Sequence, residues 1–313
     1  MNQRAGVFAL LGVGLALAAG PLGAQQPADV ANAALRVLPV QGNVYMLVGP
    51  GGNVTIQVGK DGVLLVDTMF EPLAPRIAAE FRKLTNLPLR YIIDTSIDAD
   101  HIGGNAALAA MGATGATQVT GGGATVIAHE NVLNRLARPV TTRETPPLVR
   151  GLPSDEYFTP TKDFYFNGEP VIVIHEPNAH TDGDSMVFFR RSDVVSAGDI
   201  FTPDRYPVID VETGGSVQGL VAALNHLLDL AVPERLQDGG TRVIPGHGRV
   251  CNEADVVEYR DMVTIVRDRI QDLIKKGMTL EQVRAAKPTL DYDARYGSGD
   301  RFIGAVYTSL RGK

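Results

Sequence analysis

Four short segments constrain this chain more than anything else in it. They are Ser96-Ile97-Asp98-Ala99-Asp100-His101-Ile102-Gly103-Gly104-Asn105, Asn178-Ala179-His180-Thr181-Asp182-Gly183, Ala197-Gly198-Asp199 and Pro245-Gly246-His247-Gly248. Each follows a run of apolar, β-branched residues. They lie about 80, 19 and 48 residues apart and hold three of the six histidines. His and Asp on loops after buried strands are how a rigid scaffold presents ligands to a metal. Taken singly, such residues more often cap turns. Asp98 and Asp100 stand where N-caps of a helix beginning near residue 102 would stand. Six together, in four strand-end loops, point to a site.

The rest of the chain supplies the strands these loops need. Val44–Val48, Val54–Val58 and Val63–Asp67 are separated by Gly49-Pro50-Gly51-Gly52 and Gly59-Lys60-Asp61-Gly62, which predicts a meander. Ile77, Phe81 and Leu84 are spaced for a helix over 72–84, and Leu89–Asp94 reads as a strand. Residues 112–125 are rich in Gly and Thr. Residues 139–162 carry five prolines and little periodicity, which predicts a long surface loop. Strands return at Val171–Ile174, Ser185–Phe189, Val194–Ala197 and Arg242–Pro245. Helices are expected over 216–230 and 254–276, the second stopped by Gly277. Strand-rich stretches interrupted by helices occupy both halves without a linker. The expected class is α/β (α+β), an αββα sandwich in one domain, residues 25–313, with a C-terminal helical extension over about 254–313.

At the N-terminus, Arg4 precedes an apolar run from Ala5 to Ala19, and Gly20-Pro21-Leu22-Gly23-Ala24 follows, ending in small residues. This reads as a secretory signal peptide, residues 1–24, cleaved before Gln25. The run is shorter than the roughly 20 residues a membrane span requires. A periplasmic or secreted protein with no membrane contact after cleavage is therefore expected. Cys251 is the single cysteine, so no internal disulfide forms. It stands close after His247, where a ligand or nucleophile role competes with that of a small buried residue opening a helix. The formal net charge of −6, without a basic stripe, argues against nucleic acid as a partner and leaves a small-molecule substrate.

The four motifs and their order, above all Asp100-His101-Ile102-Gly103-Gly104-Asn105, resemble the metallo-β-lactamase superfamily of metal-dependent hydrolases. That superfamily includes glyoxalase II and the zinc β-lactamases. The resemblance covers roughly residues 40–250. In the family the first motif reads H-x-H-x-D-H. Its two leading histidines and the His of the second motif hold one zinc. The Asp-His pair and the last His hold the other, and the later Asp bridges both. The resemblance thus implies metal ligation by Asp100, His101, His180, Asp199 and His247, with Asp100 also serving catalysis. Ser96 and Asp98 stand where the first two histidines are expected. Ser96 is a poor zinc ligand, whereas Asp98 offers a carboxylate.

The implied cofactor is zinc, as one or two divalent ions. Asp98 adds a third carboxylate where the family has two. A less positive centre acidifies bound water less, and an oxygen-rich pocket tilts selection toward Mn or Fe. The implied activity is attack by a metal-bound hydroxide on an ester, thioester or amide carbonyl, possibly a β-lactam. Two alternatives belong to other classes: a mononuclear iron oxidoreductase of the same fold, and a binding protein that has lost turnover. Asp67, Asp182 and Asp184 are further candidates to orient ligands from behind. His129, His175 and His226 are expected to have core or surface roles. The loop 139–162 and the Gly51-Gly52 turn are candidates to wall the substrate pocket.

Overall fold

A computed structural model describes residues 30, 32–113, 123–137 and 151–312. The expected signal peptide and residues 139–150 of the expected loop lie outside the described residues. Strands β1 (Arg36–Gln41), β2 (Val44–Gly49), β3 (Gly52–Gly59) and β4 (Gly62–Val66) form the antiparallel meander. β5 (Leu89–Ile93), β6 (Thr125–His129) and β7 (Asp155–Tyr157) continue that sheet in parallel. The second sheet has the order β12-β11-β10-β9-β8. It is built from β8 (Thr161–Phe166), β9 (Glu169–Glu176), β10 (Asp184–Phe189), β11 (Val194–Gly198) and β12 (Arg242–Pro245).

The continuous apolar runs explain the layering. In β4, Val63 and Leu65 face an outer core shared with helix α1 (Ala74–Leu84), while Leu64 and Val66 face the other sheet. In β10, Met186 and Phe188 pack on helices, while Val187 and Phe189 enter the space between the sheets. Strands buried on both faces lose the polar alternation of half-exposed ones. Side chains alternate across each strand, so every such run feeds two cores.

The result is the αββα sandwich. Behind the first sheet lie α1, the short turn α2 (Ala99–Ile102), α3 (Asn105–Met111) and, after β6, α4 (Glu130–Leu136). The second sheet is covered by α5 (Val217–Leu230), α6 (Glu253–Lys275) and α9 (Asp300–Arg311), with α7 (Leu280–Ala285) and α8 (Asp293–Tyr296) between. Helix α6 starts with a reciprocal Asn252/Asp255 capping box. Past its end the chain turns at Gly277, whose φ of +79° suits glycine. No described helix is long and apolar enough to cross a membrane.

One expectation is corrected here. Residues 151–162 are not loop throughout, because β7 and the start of β8 lie there. β7 is a three-residue, half-polar edge strand, too short to show a period. β8 alternates exposed and part-buried residues and begins directly after Pro160. Of the two readings of Cys251, the small buried residue opening a helix agrees with the fold: it is buried just before α6 and pairs with Val243 in an isolated β-bridge, and burial pushes its thiol up to about 12. A thiol so protonated is a poor nucleophile.

Candidate metal centre

All four motif loops reach the same edge of the sandwich. Asp98, Asp100 and His101 follow β5, His180 lies between β9 and β10, and Asp199 and His247 follow β11 and β12. The parallel β11–β12 pair places Asp199 and His247 side by side. Six side chains converge there in two groups. Asp100, His101 and His247 form one, and Asp98, His180 and Asp199 the other. Within each group the ligand-type atoms lie within 4.8 Å of one another. Asp199 Oδ1 stands 3.4 Å from Nε2 of both His101 and His247, so it faces the two groups at once. His247 Nε2 is also 3.4 Å from Asp100 Oδ2.

Each buried imidazole is aimed from behind. His101 Nδ1 lies 2.7 Å from Asp67 Oδ2, and donation to that carboxylate leaves Nε2 bare toward the cluster. Asp67 also accepts from the Thr95 amide at 2.8 Å and the Thr95 hydroxyl at 2.7 Å, which locks the loop after β5. For His180, Asp184 Oδ1 stands 3.6 Å from Nδ1, while Nε2 lies 3.2 Å from Asp98 Oδ2. Asp184 is itself held by the Thr181 amide and hydroxyl.

Asn105, which closes the first motif, explains that motif's last letter. Its amide donates to both oxygens of buried Asp94, each at 2.9 Å, and its Oδ1 accepts from the Thr68 hydroxyl. Asp94 was not singled out in the sequence. The only signal for it is its place at the end of a buried strand, before Thr95. Glycine is required opposite Asp199, because a Cβ at Gly246 would collide with that carboxylate.

The remaining candidates fall out of the centre or into it by contact. Asp98 occupies the N-cap position of α2 but makes no side-chain capping bond, which leaves its carboxylate for His180. Ser96 is buried and its hydroxyl accepts from the Asp98 amide at 3.3 Å; it joins neither group. Asp182 turns away to a two-bond ion pair with Arg135, so it does not orient a ligand. His129 stacks on His175 at 3.5 Å, and His226 pairs with Glu176 at 2.6 Å. The Gly51-Gly52 turn abuts the centre: Gly52 and His247 line the same cleft.

The donor set fits a divalent cation. Buried His101 Nε2 and Asp199 Oδ1, both facing the cluster, lack any hydrogen-bond partner, and buried polar atoms are rarely left so. The electrostatics agree. Burial disfavours charge on His180, yet Asp184 and Asp98 outweigh it and raise its pKa to about 10. Burial likewise opposes charge on His101, but Asp67 and Asp199 hold its pKa well above the ordinary value. Asp199 stays far below the usual carboxylate range, because the three histidines overcome its desolvation. The pocket therefore draws in positive charge, as protons or as metal.

Two outcomes are expected. His247→Ala should lower metal content and melting temperature together, since metal binding free energy is linked to folding. Unchanged values would remove His247 from the ligand set. In the chelated protein, His180 has a folded pKa near 10 against about 6.5 unfolded, so its contribution is full below about 6.5 and is lost as pH rises toward 10. Melting temperature measured in chelator should fall across that window, and His180→Gln should flatten the fall. An equally steep fall in His180→Gln would assign it to other groups.

Two face-to-face sheets with imidazoles and carboxylates gathered at one edge define a metallohydrolase-type sandwich. A family profile described as the metallo-beta-lactamase superfamily matches residues 39–247. The chain belongs to that superfamily. Among solved structures it is similar to the stereoselective inverting sec-alkylsulfatase Pisa1 from Pseudomonas sp., with a TM-score of 0.66 and 17% identity. That alignment covers 87% of this chain and 50% of the sulfatase, so the chain spans half that protein's length. It is also similar to a metallo-beta-lactamase from Pontibacter korlensis, with a TM-score of 0.55, 16% identity, and coverage of 74% and 99%. The DIM-1 metallo-beta-lactamase gives a TM-score of 0.55 and 14% identity over 74% and 99%. At these identities the likeness concerns the fold alone. No curated protein sequence matches.

Proposed function

We propose that this protein is an exported metal-dependent hydrolase acting on an ester, thioester or amide carbonyl. The observation that carries the reading is the pair of abutting ligand groups with the partnerless Asp199 Oδ1 between them. His101, His247 and Asp100 would hold one ion, and His180 and Asp98 a second, with Asp199 shared. Such ions supply a Lewis acid that polarises a carbonyl and makes a water more acidic.

The chain's own residues then set the geometry. Asp67 fixes the His101 tautomer, and Asp184 stands behind His180. His101 and His180 are 1% and 2% exposed, whereas Asp98 and Asp100 are 42% and 27% exposed. Substrate therefore approaches over the two aspartates. Asp100 has a lowered pKa, because His247 and His101 outweigh its partial burial. It stays ionised at neutral pH and orients the attacking water by accepting its hydrogen bond.

The test is hydrolysis of p-nitrophenyl esters by protein as purified, after chelation, and after return of zinc, manganese or Fe(II). Activity that chelation removes and a divalent ion restores supports the reading; ester turnover indifferent to chelation overturns it. A second reading rests on Asp100, His101 and His247, since two imidazoles and one carboxylate also suit mononuclear Fe(II). Iron purified with the protein, in a spectroscopically distinct site inactive toward esters, would favour that oxidoreductase. Export is tested separately, by sequencing the N-terminus of secreted material. A start near Gln25 supports it, and an intact Met1 on cytoplasmic protein contradicts it.

A further inference from the structure

Strand β3 carries Asn53-Val54-Thr55-Ile56-Gln57, which alternates polar and apolar residues although both faces of the strand are buried. Val54 and Ile56 join the outer core with α1. Asn53, Thr55 and Gln57 look across to the second sheet. The flanking strands meet that space with apolar residues, Met46 on β2 and Leu64 and Val66 on β4. Each polar residue of β3 bonds across the sandwich. Thr55 Oγ1 donates to Ser196 Oγ of β11 at 2.9 Å, and Gln57 Nε2 donates to Glu169 Oε1 of β9 at 2.7 Å. Asn53 Nδ2 donates to Pro245 O at 2.9 Å and to Gly248 O at 3.0 Å. Those two carbonyls bracket His247. Directional bonds of this kind fix the register of two sheets, whereas apolar contact has no preferred direction.

The metal centre is assembled across the same gap. Asp100 and His101 come from the first sheet and His247 from the second, so their group depends on the spacing of the two. His101 and His180 are backed by Asp67 and Asp184. His247 has no such support, because among the described residues none bonds its Nδ1. A ligating imidazole is ordinarily aimed by a partner on its second nitrogen. The aim of His247 therefore falls to its loop. Within the second sheet, the Gly246 amide donates to Gly198 O at 2.7 Å. Across the gap, the Asn53 main-chain amide donates to Gly246 O at 2.8 Å, and its side chain holds both flanks. A side-chain amide has two N–H donors for two carbonyls, whereas a hydroxyl has one and a carboxylate none. We propose that Asn53 is the positioning residue for His247: its side-chain amide, anchored in the first sheet, holds the Pro245–Gly248 loop of the second where His247 meets Asp100 and His101. The proposal rests on the metal-centre reading above and is independent of the reaction that centre performs.

The experiment is a double-mutant cycle on zinc affinity, measured on the full chain by competition with a chromophoric chelator. Asn53→Ala keeps the main-chain bond and removes both side-chain bonds. It should weaken zinc binding at least about tenfold, as loss of an outer partner does. Because Asn53 acts through His247, adding Asn53→Ala to His247→Ala should cost no more than about threefold further. A general loosening of the fold would cost the same factor in both backgrounds. Thr55→Val cuts the neighbouring bond to Ser196. It should lower the melting temperature in chelator yet leave zinc affinity within about threefold of wild type. The visible band of cobalt(II)-loaded protein, which reports ligand geometry, should shift in Asn53→Ala and stay in place in Thr55→Val. If Asn53→Ala does not fold, Asn53→Leu, which fills the same space without donors, enters the same cycle. Wild-type zinc affinity in the Asn53 variant, or equal losses with and without His247, overturns the positioning role and leaves the metal centre standing. Failure of wild type itself to bind zinc or cobalt(II) overturns both.

Discussion

Exchange of Asp199 for Ala is expected to strip the centre. Its Oδ1 faces His101, His247 and the Asp98–His180 group, so no other single side chain serves both halves. Outer partners of metal ligands typically cost ~10–100-fold in affinity when removed, and a shared ligand should cost at least the upper figure. At saturating metal, a 100-fold loss of affinity lowers stability by about 2.7 kcal/mol. That corresponds to roughly 5–11 °C in melting temperature for a chain near this size. In chelator the variant should lie much closer to wild type, although it still lacks the attraction between Asp199 and the histidines. Metal content by mass spectrometry and melting curves with and without zinc check both statements. Wild-type metal content in Asp199→Ala would mean that the two groups are independent of that carboxylate.

The second large effect is expected from Ser96→His combined with Asp98→His. Asp98 Oδ2 already faces His180 Nε2 at 3.2 Å, so this side of the centre is arranged around a carboxylate. Two imidazoles there would suit zinc and remove one negative charge beside the ions. Zinc occupancy should rise toward two per chain, and the pH–rate profile for ester hydrolysis should move down by about one unit. Ser96 is buried against the Asp98 amide, so the larger His carries a packing cost, and Asp98→His alone serves as the control. If Asp98 tunes the site for a harder ion, the double variant gains zinc and loses its manganese- or iron-dependent activity. The account of Asp98 fails if Asp98→Ala leaves metal content, metal identity and activity unaltered.

Much of this arrangement was legible in the order of residues, for definite reasons. The buried strands are short continuous apolar runs bounded by Gly and Asp turns, and the ligand loops are where those runs stop. Asp98 stands at the N-cap of α2, a position the order of residues does reveal, but its side chain bonds no amide of that helix, which only the fold shows. What stayed hidden depends on contacts distant in sequence. Asp94 matters only because Asn105 folds back onto it. Asp182 and Asp184 are two residues apart in one loop, and only the fold sends the first to Arg135 and the second to His180. The strands β7 and β8 were missed because each is too short or too polar to show a clean period.

The reaction, the stability changes and the variant effects all require that these six side chains form a metal centre. Metal per chain, measured by mass spectrometry on the protein purified from its native host without chelator, is the decisive quantity. One firmly held divalent ion and a second at partial occupancy are expected, both lost in Asp199→Ala. A protein that carries no stoichiometric metal, and takes up none when offered zinc, manganese or Fe(II), would contradict it.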